Sequence, residues 1–146
     1  MQQDRSDKER GLHAYLIDNA LLPLPSDTRC IALACTLTNL ASVPNSISAA
    51  ELSVYEYQKS GVPLKLILRP SNGDVSTPWS LAPFTLPINL EPRSSTSGWL
   101  AFLLPDAFGA ERTIDKCELL FASAVGERAS VETYLLKEVQ YVRDES

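Results

Sequence analysis

A chain of 146 residues, 45% of them apolar, can bury about 70% of the surface its unfolded form exposes, so its core needs neither a metal nor a disulfide. A net charge of −5 argues against nucleic acid or an anionic membrane as the main partner, because both require a concentrated positive field. No apolar run approaches the roughly 18 residues of a membrane span, and the charged opening MQQDRSDKER lacks the hydrophobic segment and small-residue cleavage site of a secretory signal.

Residues 1–10 carry no aromatic or β-branched side chain and are expected to form a flexible tail. Residues 12–18 read as a first strand, and 19–27, with Pro23 and Pro25, as a connection that does not pair reliably. Over 29–39 the alternation is clear. Ile31, Leu33, Cys35 and Leu37 form a large row expected to face the core, against a smaller row of Cys30, Ala32, Ala34, Thr36 and Thr38. After a loop around Pro44, residues 47–57 place Ala50, Leu52 and Val54 on one face. Gln58–Gly61 then reads as a hairpin turn returning into 62–68, whose Pro63 suits an edge strand able to pair with a copy of itself.

Residues 69–83 form the longest irregular stretch. They are followed by the pair that organises the chain, FTLPINLEPRSSTSGWLAFLLP over 84–105. Phe84, Leu86, Ile88 and Leu90 alternate with polar or proline positions, as in a half-buried strand, and 91–97 is turn chemistry. Residues 98–104 are apolar on both faces, the pattern of a central strand with Trp99 in the core. Residues 106–115 read as a connection with room for one helical turn. Residues 117–125 and 129–139 form a hairpin about Gly126-Glu127, and 142–146 a polar end. About eight short strands separated by turn signals predict a single all-β domain over 11–141, an antiparallel sandwich.

The strand ending in Leu37-Thr38-Asn39, the run from LPINL through a turn to Gly98-Trp99-Leu100-Ala101-Phe102, and Leu119-Leu120-Phe121 before a hairpin carry a resemblance. Over about 12–139 the chain resembles the immunoglobulin-like sandwiches of unknown function found in bacterial secreted proteins and lipoproteins. The resemblance implies an extracytoplasmic, non-enzymatic interaction domain behind a signal or lipid anchor. The chain shows neither feature. It reads as cytoplasmic as it stands, and as extracytoplasmic if such a segment has been removed.

Cys30 and Cys35 lie on opposite faces of one strand and cannot bridge each other. Cys35 and Cys117 both point inward by parity and can form a disulfide in an oxidising compartment, although two small buried thiols are the simpler reading. No metal or cofactor is expected: His13 is the only histidine, no Cys-x-x-Cys occurs, and the loop carboxylates lack the spacing of a calcium site. A Ser-His-Asp arrangement would need His13, no serine is set in a strand–nucleophile–helix elbow, and no glycine-rich phosphate loop exists, so enzyme activity is not expected. Binding points to the 69–83 loop, where Trp79 stands among Arg69, Asn72 and Asp74. An exposed tryptophan there would anchor a protein partner or stack on a sugar ring, whereas a buried one would plug the end of the sandwich. The expected function is therefore a protein-binding or structural module acting through 69–83, with a carbohydrate-binding module as the alternative.

Overall fold

Alternating apolar side chains draw the chain into eight strands in the computed structural model, which describes residues 11–24, 28–56, 64–71, 75–105 and 114–134. The expected tail 1–10, the hairpin turn at 58–61, most of the 106–115 connection, the end of the last strand and the polar end 142–146 lie outside them. The strands are β1 (Leu12–Pro23), β2 (Arg29–Asn39), β3 (Asn45–Glu56), β4 (Leu64–Leu68), β5 (Ile88–Leu90), β6 (Ser94–Leu103), β7 (Ile114–Ser123) and β8 (Arg128–Thr133). One sheet has three strands in the order β1-β2-β6. The other has five, in the order β4-β3-β7-β8 with β5 also on β3. All strand pairs are antiparallel.

The core lies between the sheets. Ile31, Leu33, Cys35 and Leu37 of β2, with Leu100 and Phe102 of β6, meet Leu52 and Val54 of β3 and Leu119 and Phe121 of β7. Each large side chain so placed contributes about 1.5–3 kcal/mol. The strand expected over 29–39 has the predicted bounds, and its larger row faces inward. The first three residues of its smaller row are covered as well. Cys30, Ala32 and Ala34 join Ala20 and Ala101 in a floor of short side chains, under Leu22, Trp99 and the partly buried Leu24, Val75, Trp79 and Leu81. Short side chains keep this floor low, so two indoles can lie across it.

β1 runs five residues beyond the expected strand. Its register against β2 shifts between Leu16 and Asp18, a bulge that leaves Ile17 half exposed. The extra residue reverses the parity of the strand. Before it, Leu12, Ala14 and Leu16 face the core; beyond it, Leu21 does, while Ala20 and Leu22 turn to the outer cluster. Pro23 is tolerated as the last residue of an edge strand. At this corner the sheets are tied by Asn19, whose side-chain amide donates to Thr133 Oγ1 at 2.7 Å.

The organising pair differs from its expected form. Phe84, Ile88 and Leu90 are buried and Leu86 packs against the same core, as the alternation requires. Only Ile88–Leu90 is a strand, however, and it pairs with β3. The Phe84 amide instead donates to Trp99 O at 2.9 Å on β6, and a cis Leu86–Pro87 peptide lies between the two attachments. One extended run thus crosses from one sheet to the other, feeding the core along its length. The turn shrinks to 91–93, with Arg93 in the left-handed region at φ 52°, and Ser94–Ser97 belong to β6.

β6 is the last strand of its sheet rather than a central one. Its outer edge is occupied by the protein's own loop: Ser71 N donates to Ala101 O at 2.7 Å, Trp99 N to Ala82 O at 3.3 Å, and Pro83 bridges Trp99 in parallel. Covering an edge in this way removes a template for aggregation. Gly98 makes the approach possible. A Cβ there would stand 2.9 Å from Ala82 O and 2.9 Å from the Phe84 ring. Gly98→Ala is therefore expected to push 82–84 off β6 and cost about 1–3 kcal/mol, read as a lower denaturant midpoint together with faster amide exchange at Phe84 and Trp99.

Candidate functional site

Of the residues expected to bind, Arg69 and Trp79 lie on opposite sheets. Asn72 and Asp74 lie outside the described residues. Arg69 follows β4 and is exposed on the outer face of the five-stranded sheet, where it lines a shallow cleft with Arg128, Glu51, Ala49, Leu120 and Ala122. Trp79 lies on the outer face of the opposite sheet, half-buried over the alanine floor, and its indole N–H donates to Asp18 Oδ2 at 3.0 Å. Its neighbour Trp99 is buried in the same outer cluster rather than in the core between the sheets, with its N–H donated to Leu81 O at 3.0 Å. Both indoles thus help hold the 75–82 segment against the sheet.

Three short connections meet at one end of the molecule: 40–44 between β2 and β3, 91–93 between β5 and β6, and 124–127 between β7 and β8. Asn39, wholly buried at the end of β2, binds two of them together. Its amide donates to Val43 O at 2.9 Å and Glu91 O at 3.2 Å, while its Oδ1 accepts from Ala41 N at 3.0 Å. Arg93 N adds a bond to Ala41 O at 3.0 Å. The third connection is closed by Ser123 Oγ, which accepts from Val125 N at 3.3 Å and Glu127 N at 3.0 Å, with Gly126 at φ 89° completing the turn. Ala124 N donates to Ser46 O at 2.9 Å, and the Glu127 carboxylate accepts from Leu12 N at 3.0 Å and Asn45 Nδ2 at 3.3 Å.

This network fixes the backbone and leaves apolar tips outside it. Val43 is 61% exposed and Val125 74%. Pro44, Asn45, Asn89, Leu90, Glu91 and Val125 border an open hollow of about 350 Å³ between them. This end is faint in the sequence because its loops are short and their apolar residues isolated; its one signal is the Thr38-Asn39 strand ending.

Cys35 and Cys117 both face the core, as parity requires, Cys30 faces the outer cluster, and all three are free thiols. Burial pushes Cys35 and Cys117 up to about 12 and Cys30 to about 11, so none is a poised nucleophile. His13 stacks on Tyr15 at 6.4 Å, beside the hydroxyl pairs Thr36–Ser97 and Thr38–Ser95, each at 2.8 Å. Its buried Nε2 has no hydrogen-bond partner among the described residues. Among the described residues no group of three or more His, Cys, Asp or Glu is placed to hold a metal ion, and no helix is long and apolar enough to cross a membrane.

No protein-family model matches the chain, and no curated protein matches it in sequence. Among solved structures it is similar to a candidate lipoprotein (ycdA) of Bacillus subtilis, at 14% identity and a TM-score of 0.54 over 87% of this chain and 37% of that one. It is also similar to a sporulation control protein of Bacillus subtilis, at 12% identity and a TM-score of 0.44 over 89% of this chain and 49% of that one. The chain spans little more than a third of the length of the first, and the likeness is one of all-β fold.

Proposed function

We propose that this chain is an immunoglobulin-like, non-enzymatic binding module that meets a protein partner through the end formed by 40–44, 91–93 and 124–127. The order β1-β2-β6 against β4-β3-β7-β8 supports the immunoglobulin-like reading, with β1, β2 and β6 in the places of strands A, B and E and the other four in those of C′, C, F and G. β5 departs from that plan by joining β3. On this mapping, 40–44 and 124–127 are the B–C and F–G connections, which variable domains use for recognition.

The observation that carries the reading is the pairing of a fixed backbone with exposed apolar tips at Val43 and Val125. Rigid loops that present apolar anchors lose little entropy on docking. The 69–83 loop is the weaker surface, because Trp79 already spends its N–H on Asp18 and much of its ring on the alanine floor. A photo-crosslinking residue placed at Val43 or Val125 in the native cell is expected to trap one discrete protein adduct, absent when the probe sits at the exposed Ser80 on the 75–82 segment. Val43→Ser with Val125→Ser should weaken capture by about tenfold or more. Equal adducts at Ser80, or none at the tips, would refute the assignment.

A further inference from the structure

Two arginines face each other across the open face of the five-stranded sheet, and what lies between them is small. Arg128 opens β8 and pairs with Ala122 of β7, which in turn pairs with Ala49 of β3. Arg69 comes from the far side, directly after β4, whose Leu68 pairs with Leu52. Three strand spacings separate the two flanks, roughly 14 Å between backbones, a gap that two extended arginine side chains can close from both sides. The floor is Ala49, Ala122 and Leu120, and the cleft holds about 190 Å³.

The sheet is also interrupted here. On this side of β3, β5 pairs with Asn45–Ile47 and β4 with Leu52–Glu56, so no described strand pairs with 48–51. Among the described residues neither guanidinium makes an ion pair. Glu51 is the one acidic side chain lining the cleft, so two positive groups and one negative group leave a net charge of +1.

We infer that this cleft binds a monocarboxylate with a short aliphatic stem, its carboxylate between Arg69 and Arg128 and its stem on Ala49, Leu120 and Ala122. Guanidinium is planar and pairs with carboxylate through two parallel N–H donors. The net charge matches a monoanion, and Glu51 opposes a dianion such as phosphate. A cleft of this size suits one small group rather than a drug-sized ligand. The carboxylate can be that of a free acid or the C-terminus of a protein chain. The inference is independent of the loop-end surface, since it uses a different face.

The test is a titration of the ¹⁵N-labelled chain, followed by amide shifts, with isovalerate, N-acetyl-glycyl-leucine, the C-terminal amide of that peptide, and inorganic phosphate. The two carboxylates are expected to move Ala49, Leu120 and Ala122 saturably with midpoints of about 1 mM, while the amide leaves them in place. Arg69→Gln and Arg128→Gln should each weaken binding about tenfold, with amide dispersion showing that the variants remain folded. Val43→Ser with Val125→Ser should change nothing. A peptide at least tenfold tighter than isovalerate identifies a protein C-terminus, and equal affinities identify a free acid. No saturable shift up to about 20 mM, an amide that binds like the acid, or phosphate binding more tightly than either carboxylate would overturn the inference.

Discussion

Asn39→Asp is expected to remove about 4 kcal/mol of stability at neutral pH, a large part of what holds a domain of this size together. The side chain is fully buried and uses both amide hydrogens, on Val43 O and Glu91 O. An ionised aspartate only accepts, so it would turn an oxygen towards those two carbonyls and carry an uncompensated charge in the interior. Asn39→Ala removes the same bonds without adding a charge, and should cost about 2–3 kcal/mol. Urea unfolding of both variants checks the order. The aspartate should be the worse at pH 7 and recover towards the alanine as acid protonates it, because its folded pKa lies above the unfolded value of about 3.9. Midpoints at pH 7 equal to that of the native chain would show that the two amide donors are not what binds the connections.

Raising the pH should weaken the fold steeply above about 9, through the cysteines. Burial lifts Cys35 and Cys117 to about 12 and Cys30 to about 11 from an ordinary 9.0. Below 9 both folded and unfolded chains keep these protons, and the stability they allow is whole. Between 9 and 11–12 only the unfolded chain releases them, so stability falls as pH rises. At pH 10 each thiol contributes a loss of about 1.4 kcal/mol, hence about 4 kcal/mol for the three. Denaturant midpoints from pH 8 to 10.5 for the native chain and for a triple alanine variant test this. The native curve should fall the more steeply, and parallel curves would exclude the thiols as the cause. Denatured under non-reducing conditions, the chain should titrate as three free thiols.

What the sequence made legible was side-chain parity. In β2 the large and small rows differ enough in volume for the inward face to be named residue by residue, and Phe84 to Leu90 point as their alternation says. Partners were less legible, because alternation reports which side chains are covered and not which backbone does the bonding. Residues 98–104 are apolar on both faces, a pattern that implies a second sheet neighbour. The outer cover is in fact a loop carrying Trp79 and Leu81, and the second backbone neighbour is 82–84. In β1 a single bulged residue reversed the parity, so Ala20 to Pro23 could not be read as a continuation of Leu12 to Leu16. Asn39 was hidden for a different reason. A polar residue at a strand end reads as solvated turn chemistry, and only the meeting of 40–44 with 91–93 shows that its amide is enclosed. Arg69 stands out in the sequence only as part of the 69–83 loop, and its companion Arg128, distant in sequence, becomes visible only through the order of strands across the sheet.

The path of 69–83 has a bearing on how such a chain can diversify. Its ends and middle are committed to Ala101, Trp99, Asp18 and the alanine floor, so insertions there would strip the cover from a whole flank of the protein. The side chains of Val43 and Val125 stand mostly in solvent, while the bonds that shape their loops come from Asn39 and Ser123. Related chains that have acquired different targets should accordingly vary at the brief connections and keep the long one close to constant in length, the reverse of what loop size alone would suggest.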